Sequence, residues 1–339
     1  MELSVIVPVY NMASDGKLEY CIRSLVNQTL ESMEVIAVDD ASTDNSLEVL
    51  RELEKEFPGR LKAVASPENR RQGGARNLGL TVAQGDYIGF MDADDWVKAD
   101  LYERMVKLAK ETGADVVGTD MCLVYEHTMV PTERVACNEM NQTGILDHEK
   151  RKLLLLKPGP LGTKIYEREI FYTNDFKFPE RISYEDNATA VEIVMKIKHF
   201  EHIPEANVFY YQRHDSTTHT VTQKNCEDRM VAMRMMLQLA SKNGALEEFR
   251  DVVEYQYGIL FYRNTLFSYM QGKMKKDVRF LKNLGKEMVE TFPDFRENAF
   301  FKRDVNDYEM KLINLHLKST RAFLFIYQLK QISKKIRNR

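Results

Sequence analysis

The chain has 339 residues, of which 44% are hydrophobic and 29% are charged, and its formal net charge is −3. This length and composition predict a folded globular protein with one α/β domain and a smaller appended region, and they exclude a disordered chain. The small net charge argues against nucleic acid as the main partner, because a phosphate backbone requires a concentrated basic surface.

The four cysteines are scattered and show neither CxxC nor Cys/His spacing. They therefore fit neither a disulfide framework nor a zinc site, and a reducing cytoplasm is the simplest location. The N-terminus lacks the basic region and cleavage site of a signal peptide, and no apolar run reaches the ~18 to 20 residues of a membrane span. We expect neither a secreted nor an integral membrane protein.

In chain order, the first third alternates short β-branched segments with helical patterns, which is typical of a βαβ series. Five strands are predicted, at residues 3–9, 34–38, 61–65, 87–91 and 114–118. Four helices are predicted between them, at residues 18–30, 46–57, 75–84 and 101–112. We expect a parallel sheet covered on both faces by helices, which binds ligands at the carboxyl ends of its strands.

The pattern weakens between residues 119 and 146, which indicates an insertion or additional strands. A helix after Arg168, a helix at 186–198 and an aromatic strand at 208–211 then complete a domain of residues 1–222, with halves at 1–120 and 121–222. Residues 223–339 carry long helical patterns. The expected architecture is therefore an α/β domain followed by an α-helical C-terminal region.

Polar segments follow the first four predicted strands directly. They occupy residues 8–11, 39–44, 69–77 and 92–95. Because parallel strands bring their carboxyl ends to one edge of a sheet, we expect these segments to converge on one pocket.

The last segment holds Asp92, Asp94 and Asp95, three carboxylates in four residues at the end of an apolar strand. Such charges repel one another unless a cation or solvent compensates them, and a hard divalent cation would also recruit a diphosphate. Aspartate is also favoured in turns and at helix caps. Taken alone, the cluster fits either a metal site or a capped turn.

Asp40 follows the second strand, and its carboxylate can accept hydrogen bonds from a base or a ribose. Ser42 or Asp44 can instead cap the helix that starts near Ser46.

The third segment brings three arginines and the Gly73-Gly74 pair to a helix start. Glycines permit close backbone approach, and arginines at a helix N-terminus attract phosphate. The spacing is neither GxGxxG nor GxxxxGK[ST], so the dinucleotide-binding and P-loop fingerprints are absent.

Together these segments resemble glycosyltransferase family 2. The motifs are SVIVPVYN at 4–11, VDDASTD at 38–44, GARN at 74–77 and GDYIGFMDADD at 85–95. They cover roughly residues 1 to 120, and a looser similarity through GTKIY at 162–166 and YEDN at 184–187 extends to about residue 220. The resemblance implies the GT-A fold, a Rossmann-like and mostly parallel sheet, with nucleotide-sugar binding in the half at 1–120.

The resemblance also implies an inverting transfer from a nucleotide sugar, usually a UDP-sugar, with Mg²⁺ or Mn²⁺. It places the metal on Asp94 and secondarily on Asp92, and it matches Asp186 to the family's general base. An N-cap role is the alternative for Asp186. The positions implied for donor binding are Pro8, Val9, Tyr10, Asn11, Asp40, Asn69, Arg70, Gly73, Arg76, Asp92 and Ala93.

An inverting transfer is a direct displacement, so one base and one stabilised diphosphate suffice. A retaining hydrolase would instead need two carboxylates about 5 Å apart.

The segment at 210–219 follows the aromatic strand. In related enzymes a comparable segment folds over the diphosphate, where Arg213 would bind the donor and His214 would supply charge or a metal ligand. A solvated loop is the alternative.

Every charged residue after Glu309 is basic. These residues are Lys311, Lys318, Arg321, Lys330, Lys334, Lys335, Arg337 and Arg339. Beside them Phe325, Leu329, Ile332 and Ile336 form one helical stripe. The pattern fits either a helix at the inner face of the cell membrane or a packed stripe with a solvated basic face. The other C-terminal helices serve acceptor binding or homo-oligomer formation.

Two functions follow. The first is an enzyme that transfers a hexose or N-acetylhexosamine to a saccharide or glycoconjugate, with a nucleotide sugar and a carbohydrate as partners. The second is a catalytically inactive binding protein of the same fold in an assembly complex. Asp92, Asp94 and Asp186 favour the enzyme, because a protein that only binds has no use for a base. Tyr10-Asn11-Met12 disfavours a sugar-nucleotide pyrophosphorylase, which has a glycine-rich loop at that point.

Overall fold

The computed structural model describes residues 1–126, 129–173, 176–212 and 221–337, with the backbone alone for 330–337. The chain folds into two compact units, Met1–Ser216 and Thr217–Arg339.

The first unit is built on a sheet whose N-terminal half is parallel. Its strands are β1 (Leu3–Val9), β2 (Met33–Asp39), β3 (Leu61–Ala65) and β4 (Tyr87–Phe90), in the order β3-β2-β1-β4. Every residue of β1 and β2 is buried, as expected for parallel strands covered on both faces. The helices of this half are α1 (Lys17–Val26), α2 (Ser46–Glu56), α3 (Arg71–Val82) and α4 (Leu101–Thr112).

The C-terminal half of the sheet is mixed. It contains β5 (Trp96–Val97), β6 (Val116–Tyr125), β7 (Pro131–Val135), β8 (Gly144–Ile145), β9 (Lys164–Glu167) and β10 (His199–Gln212). The order continues from β4 through β9, β6 and β10 to β5, with β9 antiparallel to both of its neighbours. The expected parallel arrangement holds for the first four strands, and β9, for which no strand was predicted, is antiparallel. The helices here are α5 (His148–Leu156), α6 (Glu169–Tyr172) and α7 (Glu185–Lys196).

Two strands run well beyond their predicted bounds. β6 continues past Gly118 to Tyr125, and β10 begins at His199 and not at residue 208. The added stretches contain Thr119 and Asn207, which are fully buried and joined by a hydrogen bond of 2.8 Å. Polar side chains that satisfy each other inside a sheet give no hydrophobic periodicity, so the pattern alone predicted shorter strands.

The second unit is helical among its described residues. Its helices are α8 (Gln223–Lys242), α9 (Ala245–Glu248), α10 (Arg250–Gln256), α11 (Thr265–Gln271), α12 (Val278–Thr291), α13 (Ala299–Asp304), α14 (Asp307–Lys318) and α15 (Thr320–Arg337). A π-helical segment, Tyr257–Asn264, lies between α10 and α11 and supplies buried aromatic rings to the core. No helix in the described part of the chain is long and apolar enough to span a bilayer.

Candidate active site

The loops after β1 and β2 are tied to each other. The Asn11 amide donates to Ser42 Oγ (3.0 Å), and the Thr43 amide donates to Asn11 Oδ1 (2.8 Å). Asp44 accepts hydrogen bonds from the Ser46 hydroxyl (2.6 Å) and from the amide of Ala13 (3.0 Å). Burial acts against these bonds, yet together they hold the pKa of Asp44 below its usual value.

Asp40 connects the end of β2 to the start of α3. Its Oδ1 accepts a hydrogen bond from the Arg70 amide (2.8 Å), whereas Oδ2 is buried and has no hydrogen-bond partner among the described residues. Burial raises the pKa of this carboxyl, and the amides of Arg70 and Arg71 oppose that shift. A buried acceptor oxygen without a donor is a suitable partner for an N–H group of a ligand.

Helix α3 packs unusually closely on the segment that precedes α7. A side chain at Gly73 would place its Cβ 1.9 Å from the Pro179 carbonyl oxygen, so only glycine fits there. Asn77 reinforces the contact, since its amide group donates to the Phe178 carbonyl and accepts from the Phe178 amide, both at 2.9 Å. Helix α3 begins at Arg71, earlier than the predicted residue 75.

The Arg76 side chain extends from α3 and contacts both Glu185 at the start of α7 and Asp92 after β4. Its guanidinium forms a buried ion pair with Glu185, the first residue of α7, and its Nη2 lies 3.4 Å from Asp92 Oδ1. Phe90 and Phe178 flank the guanidinium, with ring centroids 5.9 and 5.7 Å from Cζ. The ion pair therefore fixes the start of α7 relative to the acidic cluster after β4.

The three aspartates after β4 face different surroundings. Asp95 is buried, and its Oδ1 accepts a hydrogen bond from the Tyr211 amide (2.8 Å), whereas the Asp92 side chain is 40% exposed and Asp94 is half-buried. The cluster lies over Cys21, whose thiol pKa is raised well above its usual value by burial and then by the three carboxylates. Asp92 and Asp94 therefore remain accessible, while Asp95 holds the end of β10.

Asp92 and Asp94 suit a small hard cation. Mg²⁺ is commonly held by one or two carboxylates together with substrate phosphates and water. Across the described residues no group of three or more His, Cys, Asp or Glu side chains is arranged to hold a metal by itself. The inward orientation of Asp95 accounts for this, and the donor set fits a cation that the diphosphate completes.

Asp186 lies beside Glu185 but in a different environment. It is exposed, and it lines a pocket together with Leu154, Lys164, Tyr166, Asn187 and Phe200. Its Oδ1 accepts hydrogen bonds from the amide and side chain of Asn187 (2.8 and 3.1 Å). The helix begins at Glu185 and its N-cap is Tyr184, so Asp186 does not cap α7.

Non-glycine residues with left-handed backbone cluster around the site. Asn11 (φ 52°), Ala41 (φ 55°), Arg71 (φ 61°) and Tyr184 (φ 69°) each stand next to a segment described above. Such conformations cost about 1 to 3 kcal/mol each and persist where the surrounding structure enforces them. The loops at this edge of the sheet are thus held in specific shapes.

Hydrogen bonds and ion pairs link the four segments expected to converge, from Asn11 and Ser42 through Asp40 and Arg70 to Arg76 and Asp92. Pro8, Val9 and Ala93 are buried, whereas Tyr10 and Asn69 are exposed. Arg213 and His214 lie outside the described residues.

The sequence patterns gave no individual role to three residues of the site. Glu185 pairs with Arg76, Asp95 binds the Tyr211 amide, and Lys164 lines the pocket of Asp186. The one signal available was the run of small residues around Arg76, which indicates that an arginine in α3 is buried and requires a partner.

Comparisons with known proteins find relatives of this chain. The family model described as Glycosyl transferase family 2 matches residues 4–168. An uncharacterized glycosyltransferase of Escherichia coli K12, YibD, is 28% identical over 66% of this chain and 65% of its own length. The poly(ribitol-phosphate) beta-glucosyltransferase of Bacillus spizizenii is 28% identical over 74% of this chain and 38% of its own length. The chain thus spans less than two thirds of either relative.

Among solved structures, residues 1–349 of Staphylococcus aureus TarS in complex with UDP-GlcNAc match with a TM-score of 0.72. The alignment has 19% sequence identity and covers 98% of this chain and 92% of that one. At this identity the likeness shows the fold, which is GT-A. The chain therefore has the GT-A fold. Its residues 4–168, just under half of the chain, belong to glycosyltransferase family 2.

Proposed function

We propose that the chain transfers a hexose or N-acetylhexosamine from a UDP-sugar to a hydroxyl of a saccharide or glycoconjugate, with inversion at the anomeric carbon. The observation that carries this proposal is the contrast between two adjacent carboxylates. Glu185 is buried against Arg76, which reaches Asp92, whereas Asp186 is exposed in a pocket. One carboxylate therefore positions the site and the other is free to react with a substrate.

In this proposal the donor lies along the carboxyl ends of β1, β2 and β4. The unpartnered Oδ2 of Asp40 accepts a hydrogen bond from an N–H of the base, beside the loop at 8–11. Asp92 and Asp94 would hold Mg²⁺ or Mn²⁺, and the cation would neutralise charge on the departing diphosphate. Support for a uridine donor comes from TarS, which was crystallised with UDP-GlcNAc, and the Bacillus relative named as a glucosyltransferase supports a hexose.

The transfer itself requires one proton acceptor. Asp186 takes the proton of the acceptor hydroxyl, and the hydroxyl oxygen attacks the anomeric carbon opposite the diphosphate. The bond between that carbon and the diphosphate oxygen breaks, and its electron pair leaves on the diphosphate. Asp186 Oδ1 is held by Asn187, and no described residue donates a hydrogen bond to Oδ2, which is the oxygen that we assign to the proton.

Nucleotide binding tests the proposal directly. In thermal denaturation of the whole chain with Mn²⁺, we expect UDP to raise the melting temperature more than GDP, CDP or dTDP, because a ligand that binds the folded state stabilises it. Asp40→Asn should reduce the preference for UDP. A chain that responds to none of the four nucleotides would contradict the donor assignment, and hence the proposed function.

We further propose that α15 contacts an anionic membrane surface. Phe325 and Leu329 are 63% and 47% exposed, while Phe323 and Tyr327 on the other face are buried. Exposed apolar side chains on a helix rich in lysine and arginine favour anionic lipid. We expect the full chain to bind vesicles containing phosphatidylglycerol and a variant truncated after Arg321 not to bind. Equal binding by both would reject the contact.

A further inference from the structure

The pocket that contains Asp186 has a buried cation in its lining. The Lys164 side chain is 4% exposed, and its ammonium donates a hydrogen bond to the Pro160 carbonyl oxygen (3.0 Å). No carboxylate of the described residues lies within ion-pair distance of it. An ammonium buried without a counter-charge costs several kcal/mol, so buried lysines are normally paired.

The nearby acidic residue, Asp120, does not supply the missing charge. Its carboxylate is already bound by His202 Nε2 (2.9 Å), by the Cys137 amide (2.8 Å) and by Arg134 Nε (3.2 Å). Arg134 therefore provides the cation that balances Asp120. Lys164 remains the uncompensated charge of this region.

The local backbone leaves no room for a side chain at residue 159, next to the ammonium. Gly159 has φ +70°, and a Cβ at this position would lie 2.6 Å from Lys164 Nζ. Burial lowers the pKa of Lys164 to about 8, with Cys137 and Asp120 opposing the shift. The amine is therefore still mostly protonated near neutral pH. Lys164 thus presents a positive charge to a pocket whose mouth carries Asp186.

We propose that this pocket is the acceptor subsite and that Lys164 binds an oxyanion of the acceptor, a phosphate or a carboxylate, while Asp186 receives the proton of its hydroxyl. The inference rests on the proposed function and adds the chemical class of the acceptor. Asp186 is exposed and Lys164 is buried, so the two lining groups lie at the mouth and in the interior of the pocket. An acceptor that carries both a hydroxyl and an anionic group can contact Asp186 through the hydroxyl and Lys164 through the anion.

Direct binding measurements on the whole chain test the subsite without requiring turnover. We expect glycerol 1-phosphate or glucuronate to bind the wild-type chain saturably by calorimetry, and neutral glycerol not to bind. Lys164→Met should lower the affinity for the anion at least ten-fold, and Lys164→Arg should retain that affinity. Lys157→Met, which replaces a lysine with a side chain 44% exposed, should leave the affinity unchanged. Comparison of the phosphate with the carboxylate identifies which oxyanion is preferred. Equal affinity of the anions for wild type and Lys164→Met would overturn the proposal.

Stability provides a second measurement. If Lys164 is an uncompensated charge that serves binding, Lys164→Met should melt at the same or a higher temperature than wild type in the absence of anions. A lower melting temperature would show that the lysine holds the fold, which would also overturn the proposal. UDP binding should be unchanged in Lys164→Met. Failure of UDP to bind any form would reject the donor assignment, whereas anion binding that depends on Lys164 would still establish the subsite.

Discussion

The guanidinium of Arg76 and the carboxylate of Glu185 form an ion pair between residues 109 positions apart, and their side chains are only 7% and 3% exposed. The pair connects the glycine-containing helix α3 to the first turn of α7, where Asp186 follows Glu185. Through the 3.4 Å contact of Arg76 with Asp92, it also connects α7 to the acidic cluster after β4. The donor side and the proposed base thus share one rigid support.

Breaking this pair should strongly destabilise the first unit. Arg76→Ala leaves Glu185 buried without its partner, for which we expect a loss of about 3 to 5 kcal/mol in the free energy of unfolding. The matched control is Arg23→Ala, since Arg23 pairs with Glu56 at the surface, where the side chains are 37% and 49% exposed. The control should cost much less, because solvent screens an ion pair at the surface. Similar losses in the two variants, measured by urea denaturation, would contradict the role of burial.

Replacement of the proposed base should separate activity from stability. Asp186→Asn removes the proton acceptor but keeps the size of an exposed side chain, so we expect transfer to fall at least ~100-fold with an unchanged melting temperature. Glu149→Gln, an exposed carboxylate in the first turn of α5, is the control and should retain full turnover. Retained transfer in a folded Asp186→Asn variant would reject the assignment of the base.

The sequence predicted the parallel half of the sheet well, because continuous apolar segments such as Leu3–Val9 coincide with buried strands. It also indicated Asp40 and Asp92, since polar residues directly after such strands meet at one edge. It did not predict the antiparallel β9 or the partner of Arg76. Strand direction and pairs such as Arg76 with Glu185 depend on contacts between distant segments, which leave no local periodicity.

Any side chain at residue 73 should disrupt the contact between α3 and the segment before α7. In Gly73→Ala the new methyl would meet the Pro179 carbonyl oxygen at 1.9 Å, so the two segments must separate. We expect a loss of roughly 3 kcal/mol in stability, as for other overpacked cores, together with reduced transfer. Gly162→Ala is the control, because the nearest atom to its Cβ is the Phe90 carbonyl oxygen at 3.5 Å. An equally stable Gly73→Ala variant would show that this contact can yield.

The second unit should lose stability in mild acid through one histidine. His316 is buried, with Nδ1 at 2.8 Å from the Tyr262 hydroxyl and Nε2 at 3.1 Å from the Leu281 carbonyl oxygen. Burial lowers its pKa from 6.5 to about 4. Between these values the unfolded chain binds the proton and the folded unit does not, so the free energy of unfolding falls as the pH falls.

The expected loss reaches roughly 3 kcal/mol near pH 4, and stability above about pH 6.5 is unaffected by this group. Urea denaturation at several pH values, followed by helical circular dichroism, measures it. His316→Gln should lower the overall stability but flatten its dependence on pH. The control is His148→Gln, because the His148 side chain is 51% exposed, and this variant should keep the pH dependence of the wild type. The prediction fails if the wild-type and His316→Gln curves remain parallel.

The acidic cluster after β4 should divide into residues with different tasks. Asp95 is buried and accepts the hydrogen bond of the Tyr211 amide at 2.8 Å, so Asp95→Ala leaves a buried N–H without its acceptor. We expect this variant to lose about 1 to 3 kcal/mol of stability. Asp94→Ala should instead abolish the effect of Mn²⁺ on UDP binding, because the carboxylate proposed to hold the cation is gone.

Titration of UDP with and without Mn²⁺, alongside urea denaturation, distinguishes the two outcomes. A cluster that served only as a turn would give variants that differ in stability and share one response to Mn²⁺. If the tasks are divided, Asp95→Ala should be less stable but should still bind UDP in a way that depends on Mn²⁺. Asp94→Ala should bind UDP without any effect of Mn²⁺. The two residues are adjacent in sequence and differ in the direction of their side chains. Asp95 points inward and binds β10, whereas Asp94 is proposed to bind the cation on the diphosphate.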